Sequence, residues 1–384
     1  MQVDPGDPTE IAAGLATRLS DPVGVFAAPG RVNLIGEHTD YNGGLCLPIA
    51  LPHATYAAVA RRDDNRLTVA SVQRAERFES HLDDIAPGSV AGWAAYVAGV
   101  AWALREAGHE LPGMDLVIDG RVPLGAGLSS SAALVCSTAL AMTEAAASDV
   151  QPADLVAPTM RAESEVAGAP TGGMDQTVSL LGTAGHALLI DFSDHTTRQV
   201  PWAPEASGLT LLVVDTRSEH SLVDGGYAAR RADCEAAAAR LGLASLRDAT
   251  GHDVERLDDD RLRRRARHVV TEIGRVEQVV DALTSGDWER IGSAFIASHA
   301  SMRDDFEISC EELDVVVETA VAEGALGARM TGGGFGGSAI ALVRTDESDR
   351  IAGQITTAFA DRNWPEPGVL PAPASAGARR VRTA

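Results

Sequence analysis

The chain of 384 residues contains no lysine, so arginine supplies all 32 of its basic side chains. That excludes a P-loop, which needs a Gly-Lys-Ser/Thr ending. Cysteine is sparse: Cys46, Cys136, Cys234 and Cys310 stand far apart with no CxxC spacing. They provide neither a metal motif nor a disulfide framework, and Cys136, in an apolar helical run, reads as a buried thiol. Basic charge is also short, with 32 Arg against 54 Asp and Glu and a net charge of −22. An acidic balance disfavours nucleic acid and anionic membrane as partners, although a locally positive site still binds phosphate. Aromatics make up only 4% while Ala and Gly are abundant, which points to tightly packed helices. No uncharged apolar run of about twenty residues occurs, so no membrane span is expected. No basic segment followed by an apolar core opens the chain, so the expected location is cytoplasmic. An apolar fraction of 45% and a charged fraction of 22% are those of an ordinary soluble protein, long enough for two domains.

What is present centres on residues 122–133, Val-Pro-Leu-Gly-Ala-Gly-Leu-Ser-Ser-Ser-Ala-Ala. Gly125 and Gly127 permit backbone conformations closed to other residues and a close ligand approach. Ser129, Ser130 and Ser131 follow where a helix over about 130–147 begins. The unpaired N–H groups of a helix start bind anions, so the stretch reads as a phosphate cradle; its competitor is a plain serine cap. A second glycine-rich stretch covers residues 330–337 and runs into a strand at 338–343. Between the two, the turn Thr171-Gly172-Gly173-Met174 precedes Asp175. Residues 28–44 read as a polar loop, with Arg31, Glu37, His38 and Asp40 within ten positions. Carboxylates accept from hydroxyls and histidine does either, so this loop suits a polyhydroxylated ligand. A metal site at Glu37, His38 and Asp40 is the rival, but the spacing lacks the geometry of H-E-x-x-H.

Strand-like runs occur at 23–27, 45–51, 54–60, 67–72, 114–118, 186–191 and 209–215, separated by charged or proline breaks. Helical periodicity covers 7–19, 93–107, 152–167, 227–241, 260–283, 288–301, 310–323 and 348–360. Strands cluster early and helices late without βαβ alternation, so the fold class is α+β. A boundary near 201–208 divides an N-terminal domain (1–200) from a C-terminal domain (201–364). The Pro/Ala/Gly-rich tail 365–384 reads as disordered. Mixed charges at 258–267 read as a solvated helix face.

Three stretches carry a resemblance. Residues 30–44, Gly-Arg-Val-Asn-Leu-Ile-Gly-Glu-His-Thr-Asp-Tyr-Asn-Gly-Gly, resemble the sugar-recognition signature of the galactokinases. Residues 123–132 resemble the nucleotide motif of the wider galactose, homoserine, mevalonate and phosphomevalonate (GHMP) kinases. Residues 328–337, Ala-Arg-Met-Thr-Gly-Gly-Gly-Phe-Gly-Gly, resemble that family's third motif. The motifs stand in family order across nearly the whole chain. The resemblance implies the two-domain GHMP kinase fold, with an N-terminal domain like part of ribosomal protein S5 and a C-terminal ferredoxin-like domain. It implies transfer of the γ-phosphoryl of ATP to the anomeric hydroxyl of α-D-galactose, feeding the Leloir pathway. A related sugar 1-kinase acting on N-acetylgalactosamine or arabinose, and a regulator that binds galactose and ATP without turnover, are the alternatives. The Ser131-Ala132 pair, Asp175 and Arg31 speak against the regulator.

Roles follow from the resemblance position by position. Asp175 matches the catalytic aspartate facing O1, and Arg31 the arginine that stabilises phosphoryl charge and keeps Asp175 ionised. Glu37, His38, Thr39, Asp40, Gly172 and Tyr227 align with sugar-contacting positions. Ser131 and Glu163 align with the pair that holds Mg²⁺, a hard cation that takes oxygen ligands. Gly125, Ala126, Gly127, Leu128, Ser129, Ser130 and Ser131 form the nucleotide loop; Ser71 and Trp93 resemble positions beside the purine, with core packing the alternative for Trp93. The 332–337 loop is expected to close over the site and support the phosphate region. Gly173 stands where many relatives have an aliphatic residue, which would loosen the turn beside Asp175. The implied partners are galactose and ATP alone, with a monomer as the expected state.

Overall fold

The computed structural model describes residues 4–218 and 223–383. The first half runs α1 (Pro8–Ala16), β1 (Pro22–Asn33), β2 (Leu45–Cys46), β3 (Pro48–Arg62), β4 (Arg66–Ser71), β5 (Arg74–His81), α2 (Ala94–Glu106) and β6 (Gly113–Gly120). It continues through α3 (Ser130–Ala145), α4 (Val156–Arg161), α5 (Met174–Leu181), β7 (His186–Asp191) and β8 (Thr196–Pro201). The second half begins with β9 (Leu209–Asp215), α6 (Val223–Leu241), α7 (Gly251–Glu255), α8 (Asp260–Ser285), α9 (Trp288–Ser301) and α10 (Glu311–Ala322). It ends with β10 (Gly327–Thr331), β11 (Ser338–Arg344), α11 (Ser348–Ala360), β12 (Gly368–Pro371) and β13 (Arg379–Val381).

A six-stranded sheet of order β13-β1-β3-β6-β4-β5 organises the first half. One face packs on α2 and α3, where Val97, Leu104, Val135 and Met142 meet Phe26 and Val59. The other face receives Ile11 and Leu15 of α1 against Val25 and Tyr56. The second half is built on an antiparallel sheet, β10-β11-β9-β12. Along β9 the side chains alternate between two cores: Leu212 and Val214 pack towards Val316 and Phe359. Leu211 and Val213 pack with Val276 and Phe295, and that core also takes in Val32 and Ile49 of the first sheet. Period-two alternation with both faces apolar is what a sheet covered on both sides requires. This arrangement is the expected α+β class.

Several local readings change. Strand β1 extends to Asn33, so residues 28–33 are buried strand and not loop. Its partner β3 is continuous through Pro52, because the register shift at Pro29/Arg31 puts that proline inside a bulge of β3, where residues 51–53 face Gly30 alone. Strand β5 was hidden by its polar composition; it is a largely exposed sheet edge. The helix expected over 152–167 breaks into a 3₁₀ turn, α4 and a π-helical turn at Ala162–Val166. Residues 365–383 of the tail are ordered: β12 pairs with β9 and β13 with β1, burying Leu370, Ala372 and Val381. Proline and alanine there make short edge strands, which composition alone confuses with disorder. Within 258–267 most side chains are solvated, but Arg265 is buried and donates to Asp305 O and Glu307.

Candidate active site

Arg31, Glu37, Asp40, Ser131, Glu163 and Asp175 converge on one cavity of about 710 Å³. Asp175 lies in the first turn of α5, entered through Gly173 with φ 98°. A Cβ on Gly173 would stand 2.7 Å from Met160 Sδ. That residue therefore fixes the turn, correcting the expectation that it loosens it: an L side chain would be strained there and would have no room.

Arg31, near the end of β1, grips Asp175 with two parallel bonds, Nε to Oδ1 at 2.8 Å and Nη2 to Oδ2 at 2.9 Å. Such a fork is the strong form of a guanidinium–carboxylate pair. Its third nitrogen, Nη1, donates to Gly127 O at 2.6 Å, and the Arg31 N–H donates to Leu128 O at 3.0 Å. One arginine thus ties the glycine loop to the aspartate. Ser129 takes the left-handed conformation, makes no cap, and donates its hydroxyl to Asp175 Oδ2. The plain-cap reading of that serine is thereby corrected. The Asp175 side chain keeps 24% exposure, on the cavity wall.

Glu163 sits in the π-helical turn, a distortion that often marks functional positions. Gln176 Nε2 donates to its Oε1 at 2.8 Å, and Ser131, at the start of α3, lines the same cavity beside it. Burial, with the Asp175 charge nearby, pushes the Glu163 carboxyl up to about 7, outweighing the Gln176 hydrogen bond and the more distant Arg31 charge that favour its ionised form.

The opposite wall is the 36–44 segment. Burial, with Asp175 nearby, raises Asp40 to about 6. Gly172 faces it so closely that a Cβ there would stand 2.5 Å from Asp40 Cγ. His38 is buried and its pKa is pushed down to about 3, so the ring is neutral. Its Nε2 lies 3.0 Å from Gly333 O, which only accepts, so that nitrogen carries the proton and Nδ1 accepts from Tyr41 OH at 2.7 Å. The Tyr227 ring packs against it at a tilt, 5.1 Å between centroids, and also lines the cavity. Thr39 is wholly buried and off the wall; its hydroxyl lies 2.9 Å from Gly36 O and 2.7 Å from Leu45 O. It braces the loop and has no surface left for a substrate.

The glycine loop meets expectation in conformation, with φ of 75° at Gly125 and 69° at Gly127. Of residues 125–131 only Ser131 lines this cavity; Ala126 is held from the far side by Ser338 Oγ at 2.6 Å, and Gly125 and Ser130 lie outside the wall. Ser71 opens on a separate cavity of about 220 Å³, and Trp93 packs against the core beside α2. Neither side chain joins the main cavity.

The third motif meets both sides of the site. Gly332 N–H donates to Glu37 Oε1 at 3.0 Å and Gly333 O receives His38. Its backbone therefore supports the acceptor wall, while Gly332 also lies against Gly127 O of the glycine loop. Arg329 in the same stretch is fully buried and donates to Glu37 and, at 2.6 Å, to Leu34 O. Sequence reading quoted Arg329 without giving it a role, and missed Glu272. An arginine abutting a glycine run was the available signal; a glutamate inside an amphipathic helix gave none.

Three family models match: the galactokinase galactose-binding signature over residues 17–61, the GHMP kinases N terminal domain over 95–183 and the GHMP kinases C terminal over 279–361. The fold is that of a GHMP-type kinase. Galactokinase from Streptomyces coelicolor is 54% identical, with 94% of this chain and 95% of the relative covered. Galactokinase from Mycobacterium tuberculosis is 45% identical over 93% of this chain and 99% of the relative. The chain belongs to the galactokinase family. The structure of Lactococcus lactis galactokinase complexed with galactose superposes with a TM-score of 0.89 at 30% identity, covering 93% of this chain and 95% of that one. Mevalonate kinase of Methanococcus jannaschii, at 16% identity and a TM-score of 0.66 over 93% and 98%, shares the fold.

Proposed function

We propose that this chain transfers the γ-phosphoryl group of ATP to the O1 hydroxyl of α-D-galactose, giving galactose 1-phosphate and ADP. The observation that carries this is the Arg31–Asp175 fork, set between the glycine loop and a wall of carboxylates. Phosphoryl transfer rests on positioning and charge stabilisation. Asp175 orients and polarises the attacking hydroxyl, and Arg31 offsets charge on the transferring group from the one basic side-chain type the chain possesses. Glu37 and Asp40 accept sugar hydroxyls, while neutral His38 and Tyr227 shape the apolar side of the ring. Residues 1–200 supply both binding loops, and residues 201–364 supply the third motif.

The donors at Ser131 and Glu163, a hydroxyl and an enclosed carboxylate, fit Mg²⁺. Among the described residues no cluster of three or more His, Cys, Asp or Glu could hold a metal alone. That accords with an ion sharing its shell with water and phosphate oxygens, and when bound it would neutralise phosphate charge. The cavity is complete within one chain, so we take the enzyme to act as a monomer. We place it in the cytoplasm, where ATP is available; no helix among the described residues is long and apolar enough to cross a membrane.

The test is ADP release with galactose, 2-deoxygalactose, N-acetylgalactosamine, arabinose, mevalonate and homoserine. Galactose is expected to have the highest kcat/KM, and turnover of another acceptor without galactose would overturn the proposal. Asp175→Ala is expected to abolish turnover with an unchanged circular dichroism spectrum; near wild-type turnover would refute the assigned role.

A further inference from the structure

We propose that one face of α8, made of His268, Glu272 and Val276, positions Glu37 for the sugar, with Glu272 as the central positioning residue. The proposal rests on the reading of Glu37 as a sugar-contacting carboxylate. The three residues are spaced by four, which places them on one side of the helix. Each holds a different part of the 36–37 segment. His268 Nε2 donates to Glu37 O at 3.2 Å, its Nδ1 accepting from Ser301 Oγ at 2.9 Å. Glu272 Oε1 accepts from Gly36 N–H at 3.0 Å. Val276 closes the space above Gly36, whose φ is 102° and where a Cβ would stand 3.0 Å from Val276 Cγ2.

Glu272 also governs the side chain of Glu37 through Arg329. Arg329 Nη2 bridges the two carboxylates, donating to Glu37 Oε2 and lying 3.4 Å from Glu272 Oε1. Arg275 Nε at 2.7 Å and Ser298 Oγ at 2.7 and 2.9 Å complete the shell of Glu272. Glu272 and Arg329 are both 0% exposed. Burial pushes Glu272 up, but the charges of Arg275 and Arg329 outweigh it and hold the carboxyl down at about 2. Buried ion clusters of this kind are weak devices for stability, because desolvation offsets their attraction. What this one does unambiguously is fix geometry: the backbone of Gly36 and both ends of Glu37 are tied, directly or through Arg329, to one helix face.

The experiment uses the full chain with Glu272→Asp, Glu272→Gln and, as reference, Glu37→Gln. KM for galactose and for ATP, kcat and Tm are measured for each, with a panel of singly deoxygenated galactoses. Glu272→Asp keeps the charge but withdraws it from Gly36 and Arg329. Galactose KM is expected to rise about tenfold, with ATP KM unchanged within about twofold. The deoxygalactose whose KM is indifferent to Glu37→Gln is expected to be indifferent to Glu272→Asp as well. Should the Glu272 variants fail to fold, Ser298→Ala loosens the same carboxylate and is expected to raise galactose KM about threefold. A fall in Tm with wild-type galactose KM, or an equal rise in both KM values, would overturn the proposal. If Glu37→Gln itself leaves galactose KM unchanged, the reading of Glu37 fails and takes the proposal with it. If Glu37→Gln raises it and the Glu272 variants do not, only the proposal fails.

Discussion

Gly172→Ala places a single methyl group where the structure has none to spare. The new Cβ would stand 2.5 Å from Asp40 Cγ, and closer still to a carboxylate oxygen. Non-bonded carbons settle at about 3.5–4.0 Å, so the Asp40 carboxyl must retreat by roughly 1 Å. The backbone at residue 172 is not in the left-handed region, so alanine meets no conformational penalty there. The cost therefore falls on the position of Asp40 and not on folding. A misplacement of about 1 Å in a reacting complex costs on the order of a hundredfold. Steady-state kinetics are expected to show kcat/KM for galactose down by about that factor, with ATP KM within about twofold. Tm, read by scanning fluorimetry, is expected to change by no more than about 3 °C, the effect of roughly 1 kcal/mol. The neighbouring Gly173→Ala is the contrast: with φ 98° and Met160 in the way, its penalty falls on folding and Tm drops. Wild-type kcat/KM in Gly172→Ala would refute the assignment of Asp40 to the acceptor wall.

Two further outcomes follow from the same geometry. Asp40, raised to about 6 by burial, is charged above that pH and neutral below it, and only the charged form accepts two hydroxyls. Galactose kcat/KM is expected to fall as pH drops through about 6, approaching about tenfold per pH unit, and Asp40→Asn should flatten that limb; a profile flat down to pH 5 would sink this. Deleting residues 365–384 removes the buried side chains of Leu370, Ala372 and Val381 from the cores they fill and leaves β9 and β1 each short of a partner. At about 1.5–3 kcal/mol for each large buried side chain, Tm is expected to fall on the order of 10 °C; an unchanged melting curve would show the tail is dispensable.

Much of the site was legible because its chemistry is local in sequence. Asp40, Ser131 and Asp175 sit in first helical turns, Arg31 near the end of a strand and Glu163 in a π-helical turn, all within or beside short polar or glycine-rich stretches that stand out in the sequence. Thr39 misled because a threonine inside a ligand-rich loop looks like a contact, whereas packing turned its hydroxyl into the backbone. The support from the other half of the molecule was opaque. Glu272 reaches Gly36 across 236 positions, and nothing in the pattern of an amphipathic helix distinguishes a buried glutamate from a solvated one. In the fold, helices at 288–301 and 348–360 were read at their observed bounds, since apolar periodicity and caps are local. Strands failed where polar edges or prolines broke the expected alternation: β5, β12, β13 and the continuous β3.

The pairing of β13 with β1 has a consequence for biosynthesis. Strand β1 carries Arg31 at one end and takes β13 as its outer neighbour at the other, through Val25–Val381 to Ala27–Arg379. Residues 375–378 also bond back to Ala50, Gly182 and Ser179 of the first half. A nascent chain emerging from the ribosome therefore cannot finish its first sheet from its own early residues. The strand that bears the arginine waits with a bare edge while the second half is made, and the ribosome must deliver β13 before that edge is sealed.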